Sequence, residues 1–382
     1  MAGIYLHIPF CKQACHYCDF HFSTLLQHRV PMIDALVREL ELRADYLPVR
    51  HVSSIYLGGG TPSVLSEEEL NRLFDAIYRL FTVEQGAEIT LEANPDDLSL
   101  YYLNMLAESP VNRLSIGIQS FREEDLRLMN RAHSADEARR CLRMAREAGF
   151  ESLTADLIYG LPGLTDADWV ANLDQLLAMD LPHFSAYGLT VEPKTALHKM
   201  VRTGQVQVAT DADQQRQFDL LMDMAAARGY VHYEISNFAK PGKEAVHNSS
   251  YWHGAPYLGI GPSAHSFNGY SRQWNVANNA RYLDSIEKGE IPAEVEQLTA
   301  YDRFNERILT ALRTSAGLSL GRLEADFGAE WLQHLHAALG DVDADWYQLQ
   351  ADRLVLTRAG RHFADRIAAD LFILADDDEP NA

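Results

Sequence analysis

Cys11, Cys15 and Cys18 are the first residues in the chain whose type and spacing suggest chemistry. A C-x3-C-x2-C run lets three thiolates converge from one loop on three corners of an iron–sulfur cubane, leaving one iron without a protein donor. An open metal position of that kind is what a ligand-binding centre needs. Zinc is the competing reading; it wants a fourth donor, and His7, His16 or His21 would offer one. Spacing alone leaves both metals open. Crowding three of the four cysteines into one stretch argues for metal ligation in a reducing compartment over a disulfide framework. A cytoplasmic protein is therefore expected. The fourth, Cys141, sits in an apolar helical pattern and reads as a small core residue.

Two further groups could act with the cysteines. Gly58, Gly59 and Gly60 follow an apolar run, so the backbone there can approach a ligand where any Cβ would intrude. Glu92, Gln119 and Asp156 stand at or near the ends of later apolar runs, and Arg131 could pair with a ligand carboxylate. Taken singly, each of these polar residues reads as a loop-holding hydrogen bond; together they favour a ligand site. Farther along, His247-Asn-Ser-Ser-Tyr251-Trp252 places a histidine beside two aromatics. A neutral imidazole is a common axial ligand for haem iron, and such aromatics can flank a flat macrocycle. His232, His253 and His265 lie nearby, with no spacing rule to select a second ligand among them.

The elements that must position these residues alternate. Strands are expected at Gly3 to Ile8, Ser54 to Leu57, Glu88 to Glu92, Arg113 to Gln119, Ser152 to Ile158 and His183 to Thr190, with amphipathic helical patterns between them. This order predicts an α/β fold, an incomplete (βα)6 barrel whose ligand site lies beyond the carboxyl ends of the strands. An open doubly wound sheet is the competing architecture. The barrel is expected over residues 1–230. A Gly-, Asn- and aromatic-rich lid over its mouth is expected at 231–285. Residues 286–375 should form a smaller helical unit, with helices and one hairpin in the order of a winged helix, followed by an acidic disordered tail at 376–382.

Charge narrows the function. The formal net charge is −21, and residues 301–382 hold 15 acidic and 8 basic side chains, so no nucleic acid is expected as a partner, even for a winged-helix unit. The opening MAGIYLHIPF lacks the features of a secretory signal, and no stretch reaches the length of a membrane span. Peripheral membrane contact and a homodimer remain compatible with the sequence.

The cysteine run, Gly58-Gly59-Gly60-Thr61-Pro62 and Leu91-Glu92-Ala93-Asn94-Pro95 together resemble the radical S-adenosylmethionine (SAM) superfamily. Tyr5-Leu6-His7-Ile8-Pro9-Phe10-Cys11, Gly117-Ile118-Gln119-Ser120-Phe121 and Asp156-Leu157-Ile158-Tyr159-Gly160-Leu161-Pro162 resemble, within it, the oxygen-independent coproporphyrinogen III oxidases and their relatives. Tyr17-Cys18-Asp19-Phe20 and the H-N-x-x-Y-W hexapeptide resemble the haem-chaperone branch. The resemblance runs from about residue 3 to the end. It implies a 4Fe-4S cluster on the three cysteines, with SAM chelating the open iron, and reductive cleavage of the SAM carbon–sulfur bond as the available chemistry. It also implies SAM contacts from Tyr5, Gly59, Gly60, Thr61, Glu92, Gln119, Arg131 and Asp156, and haem at His247 for delivery to apo-haem-proteins. Phe10, Tyr17, Phe20 and Phe22 are expected to shield the cluster. Two departures count against coproporphyrinogen oxidation: Phe20 stands where the oxidases have a further cysteine, and their longer segment before the cluster is missing here, with the first ligand already at residue 11.

Overall fold

The computed structural model describes residues 2–374, so the acidic tail expected at 376–382 lies outside the described residues. Six strands form the frame: β1 (Ala2–Ile8), β2 (His51–Gly59), β3 (Thr82–Ala93), β4 (Arg113–Gln119), β5 (Ser152–Tyr159) and β6 (His183–Gly188). Each pairs in parallel with the next. The crossover helices begin where the sequence offers them caps. Ser66 with Glu69, Ser134 with Glu137 and Thr165 with Asp168 each form a reciprocal capping box, which satisfies otherwise orphaned N–H groups.

Alternation along the strands divides the sheet into two faces. Ile4, Leu6, Ile8, Ile55, Leu57, Leu91, Leu114, Ile116, Leu153, Ala155 and Leu157 are buried in one continuous core with the helices. Residues of the opposite parity are polar and bond one another across the strands. Tyr56 donates to Glu92 at 2.7 Å, Ser115 to Asp156 at 3.3 Å and Arg113 to Thr154 at 2.6 Å. A period of two therefore sorts grease to the helix side and hydrogen-bonding groups to the hollow side.

Residues 231–285 take a different place from the lid expected over the mouth. They flank the parallel strands on both sides. β7 (Val231–Glu234) and β8 (Asn237–Ala239) add antiparallel beyond β6, while β9 (Tyr257–Ile260) pairs in parallel with β1. β10 (His265–Phe267), β11 (Ser271–Asn275) and β12 (Ala293–Gln297) continue outward from β9, completing a sheet in which the described strands at the two ends do not pair. The backbone groups of this segment find partners in the sheet edges, a constraint that a Gly- and Asn-rich composition does not reveal.

A second core contains Phe304, Ile308, Leu323, Leu335, Leu354 and Ile367. It is enclosed by helices and by the small sheet of β13 (Leu318–Ser319), β14 (Tyr347–Gln350) and β15 (Arg353–Leu356), a winged-helix arrangement. The final helix expected from Arg358 onward is broken into Arg358–Arg361 and Ala364–Asp370. Arg361 reaches the half-buried His232 at 2.6 Å, and Arg358 meets Asp219 at 2.9 Å, which ties this unit to the barrel. Among the described residues no helix is long and apolar enough to cross a membrane.

Candidate cofactor site

The carboxyl ends of the strands enclose a cavity of about 460 Å³. Cys11, Cys15, Cys18, Gly59, Gly60, Thr61, Glu92, Gln119, Arg131 and Asp156 all line it, joined by Asn94, Ser115, Gly117 and Tyr187. A volume of this order suits a small organic ligand. The loop after β1 carries the cysteines, and it is held in place by backbone bonds from Cys11 to Ser23 and from Ser23 to Pro9.

Donors converge on the sulfurs. The Thr61 hydroxyl donates to Cys11 Sγ at 3.3 Å, and Arg131 Nη1 donates to Cys15 Sγ at 3.4 Å. Burial pushes the Cys11 thiol up to about 12 and the Cys18 thiol up to about 11, so without metal both hold their protons, and metal loading must release them. The three sulfurs share the cavity. His7, His16 and His21, the fourth donors a zinc site would need, are bonded elsewhere. His7 bonds the His21 carbonyl, His16 the Leu128 carbonyl and His21 the Asn279 side chain. Three thiols with no fourth protein donor fit a cluster that keeps one corner open.

The opposite wall fits a ligand with both charged and hydrogen-bonding groups. A Cβ on Gly60 would lie 2.7 Å from Ile8 O and from Phe10 N and O, so this turn accepts only glycine without moving the cysteine loop. Arg131 is fixed by 2.6 Å bonds to Asn94 Oδ1 and Gly117 O, yet its buried Nε has no partner. The guanidinium lines the cavity beside the Cys15 sulfur, where its charge favours a ligand carboxylate. Glu92 accepts from Tyr56 and from the Gly59 N–H, and burial, helped by the neighbouring Asp156 charge, pushes its carboxyl up to about 7. Burial likewise raises Asp156 to about 6. Gln119 sits at φ 63°, at a register shift between β4 and β5; such a backbone persists in a non-glycine residue only where its surroundings impose it.

Two expected site residues stand apart. Tyr5 is not in the cavity lining; its hydroxyl bonds His7 Nδ1 at 3.1 Å and its ring stacks on Tyr56. His247 lies at the far, amino-terminal end of the strands, on the helix Val246–Trp252, whose first N–H groups donate to Glu88. It is 2% exposed, with Nδ1 bonded to Ser54 at 2.8 Å and Nε2 bonded to the Tyr251 hydroxyl at 2.9 Å. Burial lowers its pKa to about 3, so the ring is neutral. Of the other histidines nearby, His232 is bonded through both ring nitrogens, and His265 lies on β10. Phe10 is fully buried, whereas Phe20 is 68% exposed at the cavity rim and does not close over the cysteines. Cys141 is buried in the helix-side core.

Sequence reading missed Asn94, Ser115, Tyr187 and above all Tyr56. Strand parity could have found them: Tyr56 shares its face with Gly58, and Ser115 with Gly117.

A parallel barrel with a three-cysteine loop after its first strand and a glycine turn after its second is the architecture of the radical SAM proteins, and the Radical SAM superfamily model matches residues 5–176. The HemN C-terminal domain model matches residues 298–363, over the winged-helix unit. The haem chaperone HemW of Bacillus subtilis is 37% identical over 86% of this chain and 87% of its own length. That of Mycobacterium tuberculosis is 37% identical over 97% of this chain and 94% of its own. The chain belongs to the HemW family of radical SAM proteins. Among solved structures, the Escherichia coli coproporphyrinogen III oxidase HemN, a radical SAM enzyme, shares the fold at a TM-score of 0.83. It is 24% identical and covers 97% of this chain and 90% of its own.

Proposed function

We propose that this chain is a haem chaperone: it takes up haem through His247 and passes it to apo-haem-proteins, while the barrel mouth holds a 4Fe-4S cluster on Cys11, Cys15 and Cys18 together with SAM. Gly59, Gly60, Thr61, Glu92, Gln119, Arg131 and Asp156 contact SAM, and Tyr5 supports them from behind. When bound, the cluster and SAM supply one-electron chemistry. The protein's own groups anchor the carboxylate at Arg131 and accept hydrogen bonds at Glu92 and Asp156. The protein works in the cytoplasm, and self-association and transient contact with a membrane-bound acceptor belong to the same proposal.

The observation that carries the haem assignment is the state of the His247 ring. Burial keeps it neutral, Ser54 holds Nδ1, and Nε2 meets only Tyr251 of the same hexapeptide. An axial histidine has this form: one nitrogen oriented by a protein oxygen, the other able to reach iron. Ligation exchanges the Tyr251 bond and requires the seven-residue helix to move outward; Gly242 and Gly254, both at positive φ, flank it.

Haem titration followed by the Soret band tests this reading. The wild type should saturate and His247→Ala should bind weakly. Because that variant empties a buried site, Tyr251→Phe is the partner experiment: it keeps the ring, frees Nε2, and should bind haem faster. Unchanged titrations in both variants would remove His247 as the ligand. Under anaerobic conditions with SAM, reductant and coproporphyrinogen III, no protoporphyrinogen IX should form.

A further inference from the structure

Two of the three cavity sulfurs are joined by one chain of hydrogen bonds, and a single amide stands in its middle. Arg131 Nη1 donates to Cys15 Sγ at 3.4 Å, and Nη2 of the same guanidinium donates to Asn94 Oδ1 at 2.6 Å. Asn94 Nδ2 donates to the Thr61 hydroxyl at 3.3 Å, and that hydroxyl donates to Cys11 Sγ at 3.3 Å. The chain joins three crossovers, since Thr61 follows β2, Asn94 follows β3 and Arg131 lies beyond β4. The Asn94 backbone is held in turn, its N–H donating to Ser63 Oγ at 3.2 Å.

We propose that Asn94 is a positioning residue for the cluster: it turns the Thr61 hydroxyl proton onto Cys11 Sγ and so helps to set the reduction potential of the centre. This rests on the reading above that Cys11, Cys15 and Cys18 hold the cluster.

The direction of the chain follows from what each group can donate. A guanidinium has N–H groups and no acceptor, so the amide must turn its oxygen to Arg131 and its NH2 to Thr61. A hydroxyl carries one proton. With the Thr61 oxygen accepting from Asn94, that proton is left for the sulfur, and a ligated thiolate has none to give back. Each link also strengthens the next, because a group that accepts a hydrogen bond becomes a better donor. Hydrogen bonds to cluster sulfurs favour the reduced, more negative state and raise its potential. Asn94→Asp reverses this arrangement. The carboxylate has nothing to donate, so it accepts from Arg131 Nη2 and from the Thr61 hydroxyl together. Cys11 then loses its donor and gains a negative charge nearby, and both changes lower the potential.

The test uses the anaerobically reconstituted full chain without SAM, with the midpoint potential read from the EPR signal of the reduced cluster. Asn94→Asp should move the oxidised-to-reduced ratio at a fixed potential about tenfold towards oxidised, which for one electron is a midpoint about 59 mV lower. Thr61→Val should shift it the same way by less, and Thr61→Ser, which keeps the hydroxyl, should stay at the wild-type value. Adding Thr61→Val to Asn94→Asp should lower the potential no further, because the proton has already left the sulfur. A residue that merely packed the cavity wall would leave the potential unmoved, or its shift would add to that of Thr61→Val. A wild-type potential in Asn94→Asp, or additive shifts in the double variant, overturns the role of Asn94 and leaves the cluster standing. Equal potentials in Thr61→Val and Thr61→Ser overturn it too, whether or not Asn94→Asp loads a cluster. A wild-type chain that takes up no cluster, or one whose cluster is indifferent to alanine at the three cysteines, overturns the underlying reading as well.

Discussion

Replacing Glu92 with glutamine should stabilise the fold at alkaline pH while weakening SAM binding. Burial and the Asp156 charge raise its carboxyl from 4.5 to about 7. For an acid with a raised folded pKa, the native state binds more protons than the unfolded state between those two values. Stability therefore falls as pH rises through this window; the penalty is complete above about 7 and absent below 4.5. A shift of this size corresponds to on the order of 3 kcal/mol of ionisation cost at pH 8. Glu92→Gln removes that cost and keeps one oxygen for a donor, but its amide must face either Tyr56 or the Gly59 N–H. The Tyr56 hydroxyl can turn to accept from it, so the net gain at pH 8 should be about 1–2 kcal/mol after about 1 kcal/mol for the weakened bonds. Urea unfolding of both proteins without SAM, at pH 8 and pH 5, reads this difference directly. Equilibrium dialysis at pH 8 should show SAM held about tenfold or more weakly by the variant, the loss expected for a charge-assisted hydrogen bond of at least about 1.4 kcal/mol. A variant less stable than wild type at pH 8, or a stability difference that does not shrink towards pH 5, would refute the account of Glu92 as a charge held at a cost for ligand binding.

The buried histidines carry the opposite sign. His247 and His232 are lowered by burial to about 3, and His7 and His133 to about 4, so the fold is favoured by their neutral forms. Their contribution is full above about 6.5 and is lost as pH falls towards the folded values, at up to about 1.4 kcal/mol per unit for each. Thermal midpoints should drop between pH 7 and 5, more steeply in Glu92→Gln, which lacks the compensating protonation. Alanine at Cys11, Cys15 or Cys18 should each abolish the brown colour of reconstituted protein, whereas Cys141→Ala should retain it, as ultraviolet–visible spectra will show. Gly60→Ala should lower iron content without unfolding the winged-helix unit, because the new Cβ pushes on the backbone at Ile8 and Phe10 next to Cys11; iron analysis with circular dichroism checks this.

Local rules made the frame legible. Each of the six parallel strands contains an apolar run flanked by turn residues, and three of the five crossovers between them announce themselves with a Ser or Thr cap and an acid three residues on. The cavity wall was legible for the same reason: Gly59, Gly60, Glu92 and Asp156 lie at or near strand ends, where a parallel barrel brings separate crossovers to one rim. The placement of His247 was not legible. Its partner Ser54 is 193 residues away, and the hexapeptide carries no sign that its helix starts on Glu88 and turns the imidazole inward. A motif identifies its residues and leaves open the face they present. Tyr56 illustrates the converse. Nothing marks it as a motif residue, yet strand parity puts it on the hollow face two positions before the glycine turn. Once the imidazole is seen beneath it, one strand position accounts for both the ring contact with His247 and the bond to Glu92.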